Sequence, residues 1–451
     1  MATERAPWSE IAGWAMYDFA NSSYTTVIVT VYYAVAFPKV VVGDGPDYRH
    51  GNLLWGGTLA ASYVASVVLL PFLGAWMDGV GHRKRFLLAS TAATVLATAG
   101  LGFVGPGDVA LAVALLLISN IGFSVGESFV ASFLPDLGRP EELGRISGAA
   151  WGLGYVGGLG SAALVLFGLG PATLDNPLVR WAGPVTAAWF AIAATPTFLL
   201  LRDRYVPPPT TEPLHRRALH QLAQTAREAG SYRDLLVFLS SYFFAMGGLS
   251  IVVAFAFIYG DQVIGWSPGT QSAMFVLTQL SATAGALAFG WLQGRIGDKP
   301  AYLLSLGVWM VAVAAIWQTG NLADAARTVA PGLRDEDVFL LVGALAGSCI
   351  GATQSAGRTL VALLSPEDKV GEFFGLWGMF GKLAAAVSLV SLSTLQSWLG
   401  LERAILVTGA FFLAATVVAS QVDVSRGRRR AGRDVLTGSS GGGGGGPERA
   451  S

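Results

Sequence analysis

The amino-acid sequence predicts an all-α membrane protein: twelve transmembrane helices in two six-helix parallel repeats. Two observations carry that prediction. Only 13% of the 451 residues are charged, against ~25% in a typical water-soluble protein. Too little charge remains to cover a water-facing surface, so lipid is the solvent for most of the chain. The second observation is a charged hairpin sequence that occurs twice. Gly74, Asp78, Gly81, Arg83 and Lys84 lie between two apolar segments, and Gly290, Gly294, Arg295, Gly297, Asp298 and Lys299 lie between two more, 216 positions later.

An apolar run of about 20 residues crosses the hydrocarbon as a helix, because every backbone polar group must be satisfied internally there. Such runs fall near 11–37, 53–77, 86–105, 109–134, 147–169 and 181–201, then near 235–260, 270–293, 301–319, 337–360, 373–398 and 403–421. The first begins only a few residues after the start, behind Glu4 and Glu10. It does not resemble a cleavable signal and is expected to stay in the membrane. The one long polar stretch between the two sets is 202–234. It holds Pro207, Pro208 and Pro209, then Arg216 and Arg217, with a surface helix expected around Leu219–Glu228. The predicted organisation is therefore an N-terminal bundle (1–201), a cytoplasmic linker (202–234), a C-terminal bundle (235–421) and a disordered cytoplasmic tail (422–451) that includes the glycine run Gly441–Gly446.

Lys and Arg set the orientation. With the N-terminus in the cytoplasm, twenty-one of them fall on cytoplasmic segments, including Arg83, Lys84, Arg85, the linker arginines and the tail. Only Lys39, Arg49, Arg180, Arg327, Arg334 and Arg403 fall outside. Both termini are expected in the cytoplasm.

The repeat recurs at two further landmarks. Ser22, Ser23 and Tyr24 match Ser240, Ser241 and Tyr242 at an offset of 218. Pro140, Glu141, Glu142 and the later pair Trp151 and Gly152 match Pro366, Glu367, Asp368, Trp377 and Gly378 at 226. Both halves read in the same direction with six spans each, which makes them parallel repeats, a design shared by many secondary transporters.

In the hairpin, Gly74 allows close helix packing and Gly81 a turn that other residues resist. Asp78 caps a helix end or pairs with a nearby cation, and Arg83 and Lys84 hold the loop at the surface. The start of the eleventh helix, near Gly371–Phe373, has free N–H groups that favour a negative partner.

Gly74, Asp78, Gly81, Arg83 and Lys84 resemble the signature loop of the major facilitator superfamily. Trp14, Tyr17, Asp18, Ala20, Asn21 and Ser22 resemble the first-helix signature of one branch, which groups the bacterial "unknown major facilitator" proteins with the fungal autophagy-related vacuolar amino-acid effluxers. Gln354 to Arg358 and Gly371 to Gly375 fit the same branch, and the resemblance covers roughly 8–421. It implies the major facilitator fold, with a central cavity lined by helices one, four, seven and ten. It also implies a latch, in which Asp78 meets the start of helix eleven when the cytoplasmic side is closed. Gly294 stands at the second aspartate position, so an asymmetric gate is expected.

Ionisable residues at membrane depth are costly and are functional candidates by default. Asp18 lies about seven residues into the first helix, roughly 10 Å along its axis at 1.5 Å per residue, and Glu127 lies similarly deep in the fourth. These two are the candidates for proton coupling. Arg358 and Lys382 are candidates for an anionic part of a substrate, Arg358 also for a gate. The structural alternative is a set of buried pairs that fix helix register, for example Glu127 with Arg358. Asn21, Tyr24, Asn120, Tyr242 and Gln354 complete the candidate substrate site, Asn21 and Gln354 ranking highest because a buried primary amide needs several partners.

Other signals carry no chemistry. Gly152, Gly154 and Gly157 match a dinucleotide pattern but sit inside an apolar helix with no preceding strand. The single cysteine, Cys349, excludes an internal disulfide and a cysteine metal site. Arg428, Arg429 and Arg430 flank the last span, and with zero net charge no nucleic-acid partner is expected. The chain is read as a monomeric, non-enzymatic integral protein of the bacterial inner (plasma) membrane, with no cofactor and no metal. Its partners are the lipid bilayer, a small polar organic solute and a proton or sodium co-ion. By resemblance, the expected function is amino-acid export, proton-coupled, by alternating access. The alternatives are transport of another metabolite, such as a sugar, peptide or drug-like compound, or a transport-inactive receptor or scaffold.

Overall fold

The computed structural model describes residues 5–43, 49–170, 172–205, 214–399, 403 and 405–432, and no strand occurs among them. The first six long helices are α1 (Trp8–Val42), α2 (Arg49–Val80), α3 (Arg83–Gly100), α4 (Val109–Ala131), α5 (Pro140–Leu169) and α6 (Ala182–Leu200). The next six are α7 (Arg233–Tyr259), α8 (Pro268–Ile296), α9 (Asp298–Trp317), α10 (Asp335–Leu364), α11 (Val370–Leu399) and α12 (Leu406–Ser420). Among the described residues, eleven spans are long and apolar enough to cross a bilayer unaided. Over the described residues, α12 passes the same test together with the helix Val424–Arg430, bent from it by 62°.

Each helix lies over one of the expected apolar runs, but the ends differ where polar residues continue the helix beyond the hydrocarbon. Pro140 opens α5, and Glu142 returns its carboxylate to the backbone of Arg139, so α5 starts a full turn and more before 147. Proline suits a first helical turn because its missing N–H has no partner there anyway. The linker helix runs Leu214–Arg227. The tail, expected to be disordered from 422, is helical over Val424–Arg430, and its part beyond 432 lies outside the described residues.

The two hairpins share their geometry. Gly81 and Gly297 have φ of 73° and 89°, a left-handed region that glycine enters without penalty. Lys84 donates its Nζ to the Leu201 carbonyl (2.8 Å) after α6, and Lys299 donates to the Ser420 and Val422 carbonyls (2.8 and 2.6 Å) after α12. A lysine charge at a helix C-terminus satisfies orphan carbonyls and opposes the helix dipole.

A second doubled device ties the first turn of α1 to the segment after α6. Glu10 accepts both Nη1 and Nη2 of Arg204 at 2.6 Å and the backbone N–H of Arg202. At the start of α7, Asp234 accepts Nε and Nη2 of Arg426 at 2.7 Å and the backbone N–H of Asp423. The same arrangement thus recurs at the start of each half.

Helices before and after the linker meet mainly along two seams, α2 with α11 and α5 with α8. Both seams depend on missing side chains. A Cβ on Gly74 would sit 2.2 Å from the Gly371 carbonyl oxygen, and one on Gly148 would sit 2.4 Å from that of Ala286. Backbones this close gain van der Waals contact where lipid offers no hydrophobic force between helices.

Candidate functional site

Between the seams lies a cavity of ≈ 350 Å³. One wall is polar and comes from the earlier helices: Asp18, Asn21, Ser22 and Thr26 on α1, Glu127 on α4 and Tyr155 on α5. The facing wall is mostly apolar, with Leu249, Val252, Met274 and Phe339, together with Thr278 and Gln279 of α8 and Gln354 and Arg358 of α10. Asp18, Asn21 and Ser22 share a helix face because residues three and four apart on a helix are neighbours.

Two ion pairs close the cavity towards the linker side. Nη1 of Arg358 lies 2.8 Å from Oδ2 of Asp18, with only 2% of the arginine side chain and 11% of the aspartate side chain exposed. The remaining guanidinium donors are also used: Nε donates to Oγ of Ser147 and Nη2 to its carbonyl, each at 3.1 Å. The rings of Trp14 and Trp151 lie 4.7 and 5.3 Å from the guanidinium carbon, within cation–π reach. The second pair is looser. Nζ of Lys382 on α11 stands 3.5 Å from Oε2 of Glu127, with 19% and 25% of the two side chains exposed. The ammonium also faces the rings of Tyr63 and Phe123. Pairing is what makes such charges tolerable, since an isolated buried ion costs several kcal/mol. Both pairs join a carboxylate before the linker to a cation after it. Nearby, the Tyr155 hydroxyl donates to Oε1 of Gln354 at 2.7 Å, again across the linker.

On the linker side, Asp78 is 1% exposed. Its two oxygens accept the backbone N–H groups of Gly371 (2.9 Å) and Glu372 (2.8 Å) at the first turn of α11. Arg83 donates to the Ser132 carbonyl and to Oδ2 of Asp136 at 3.0 and 3.1 Å, which ties the hairpin to the end of α4. At the second hairpin no carboxylate occupies the place of Asp78. Gly294 stands there, and the preceding Gln293 is 3% exposed with neither amide atom bonded.

The chain matches the family model described as "Vacuole effluxer Atg22 like" over residues 58–432. It belongs to that family. It is 27% identical over 383 residues to an uncharacterized MFS-type transporter, YxiO, of Bacillus subtilis (strain 168), covering 82% of this chain and 85% of that one. It is 22% identical over 447 residues to autophagy-related protein 22 of Coccidioides immitis (strain RS), covering 83% and 73% of the two chains. Among solved structures it superimposes on the major facilitator superfamily proton:xylose symporter XylE with a TM-score of 0.66, over 91% of this chain and 94% of that one, at 14% identity. At that identity the likeness speaks for the fold alone, which is the major facilitator fold. The protein is an integral membrane transporter of this Atg22-like family.

The structure brings Asp18, Asn21, Glu127, Gln354 and Arg358 together around one cavity. Three other candidates face elsewhere. The Tyr24 hydroxyl bonds Ser119 at 2.8 Å with its ring stacked on Phe123, Asn120 donates to Ser62 at 2.6 Å, and Tyr242 is buried with its ring stacked on Trp377. Their helices are rotated so that these groups seal helix–helix contacts, and none of the three lines the cavity. Lys382 stands behind the wall and reaches the site through Glu127. The suggested pairing of Glu127 with Arg358 gives way to Asp18 with Arg358. Sequence reasoning missed Ser147, Trp14, Trp151 and Tyr155 as members of the site. Trp14 lies in the first-helix signature and Trp151 in the repeated Trp-Gly landmark, whereas nothing in the sequence singles out Ser147.

Proposed function

We propose that this Atg22-like transporter moves amino acids out of the cell by proton-coupled alternating access, as a monomer with both termini in the cytoplasm of a bacterial plasma membrane. The carrying observation is the arrangement of the two ion pairs: carboxylates on α1 and α4, cations on α10 and α11. A zwitterion is the neutral solute that can exchange with both pairs. Its ammonium would replace a cation before Asp18 or Glu127, and its carboxylate would take the donors freed on Arg358 or Lys382. The solute would thereby bridge the two halves of the chain.

The proton enters the same scheme. Protonated Glu127 releases Lys382, and the loss of that proton restores the pair. Glu127 suits this role better than Asp18, because its partner is farther away and its side chain more open to the cavity. The two six-helix units, 1–201 and 235–421, would rock about the cavity while the linker 202–234 and the tail from 422 stay on the cytoplasmic side. The family description, vacuole effluxer, is the support for efflux.

Proteoliposomes loaded with an amino-acid mixture test this reading under imposed proton and sodium gradients, beside Glu127→Gln and Arg358→Ala. Gradient-driven amino-acid flux in the parent, uncoupled from protons in Glu127→Gln and lost in Arg358→Ala, is expected. No movement of any amino acid would remove the substrate assignment, and flux driven by sodium alone would remove the proton.

A further inference from the structure

We propose that the linker helix Leu214–Arg227 is a strap that holds the linker-side gate shut, with Gln221 and Thr225 as its fastening residues. The gate itself is the contact of α2 with the first turn of α11, where Asp78 receives the N–H groups of Gly371 and Glu372. The linker helix packs along α2 and reaches across to the same turn of α11. Nε2 of Gln221 donates to Oε2 of Glu372 at 2.9 Å, and Nζ of Lys369 donates to Oγ1 of Thr225 at 3.0 Å.

Gln221, Thr225 and Glu228 follow one another at helical spacing, so a single face of the strap meets α11. Glu228 stands 4.0 Å from Lys369, and the Tyr232 ring lies 5.0 Å from the same ammonium while packing edge-on against Phe373. Glu372 is fully buried, Lys369 7% exposed and Thr225 5% exposed, so water does not replace these partners while the gate is closed. Glu372 is thus tied twice, through its backbone to α2 and through its side chain to the linker. Opening the seam requires both ties to break, and the strap sets how readily that happens. Oε1 of Glu372 has no hydrogen-bond partner, and the Glu372 carboxylate is held from the strap by Gln221 and Thr225 together.

The test uses the full chain in nanodiscs, with spin labels at Arg139 and Arg295, which lie at the linker-side ends of α5 and α8, and the label separation measured by electron–electron resonance. Gln221→Glu sets a carboxylate against Glu372 and should move the population towards longer separations. Gln221→Lys supplies a cation to Glu372 and should move it towards shorter ones. The expected difference between the two variants is about tenfold in the open-to-closed ratio, equivalent to ~1.4 kcal/mol. Thr225→Val should loosen the gate in the same direction as Gln221→Glu, while Leu219→Ala on the exposed face leaves the distribution as in the parent. A helix that merely stabilises the fold would respond to Gln221→Glu and Gln221→Lys alike. Equal shifts, or no shift in either, would overturn the strap. A parent whose separation never changes would overturn it together with alternating access.

Discussion

Arg358 uses every face of its guanidinium: Nη1 on Asp18, Nε and Nη2 on Ser147, and two indole rings close to its carbon. Asp18 can therefore leave without orphaning the whole group. Removing Arg358 strands a buried carboxylate, whereas neutralising Asp18 leaves a cation still held by a hydroxyl, a carbonyl and two rings. Arg358→Ala should lower stability more than Asp18→Asn, by about 3–5 kcal/mol against a smaller loss. Thermal unfolding in detergent compares them, and a larger loss in Asp18→Asn would contradict the assignment.

The two hairpins should respond unequally. Asp78→Asn removes one of two acceptors for the α11 N–H groups, each such charged bond being worth about 1.5–3 kcal/mol. Transport should fall at least tenfold. Gly294→Ala meets nothing nearer than 3.6 Å and should transport nearly as well as the parent. Flux assays on both variants decide the point, and equal losses would speak against an asymmetric gate.

Close backbone approach at the α2–α11 seam should be sensitive to one methyl group. A Cβ on Gly74 would fall 2.2 Å from a carbonyl oxygen, so Gly74→Ala should hold the linker side apart. Labelling of a cysteine placed at Val370, which is 2% exposed beside Gly371, by a water-soluble maleimide, in a Cys349→Ala background, should then be faster than in the parent background. Unchanged labelling would mean that the seam yields elsewhere.

The doubled clamps should act in parallel. Arg204→Ala and Arg426→Ala each free a buried carboxylate, Glu10 or Asp234, at the first turn of a half. Both should lower the melting temperature by similar amounts and leave substrate affinity unchanged. A loss confined to one of them would show that the two halves do not share this support.

Much of the architecture was legible because hydropathy and turn chemistry are local. The apolar runs located each helix, and Gly81 and Gly297 marked turns whose φ values are positive. Asp18, Glu127, Gln354 and Arg358 stood out as charges or amides at membrane depth, and all four line the cavity. Which carboxylate meets which cation was not legible. Partner choice depends on how far each helix is rotated about its axis, and a rotation of about 100° separates neighbouring residues at 3.6 residues per turn. For the same reason Tyr24, Asn120 and Tyr242 were assigned to the cavity although they seal contacts between helices. Ser147 was invisible because its role comes from a guanidinium 211 positions away.

The most direct measurement is calorimetric affinity for a zwitterionic amino acid, compared with its N-acetyl derivative and its amide. Exchange with the pairs Asp18–Arg358 and Glu127–Lys382 requires both ends of the solute. The zwitterion should therefore bind at least tenfold more tightly than either derivative, a difference of ~1.4 kcal/mol or more. Equal binding of all three would contradict the assignment of those pairs to the substrate.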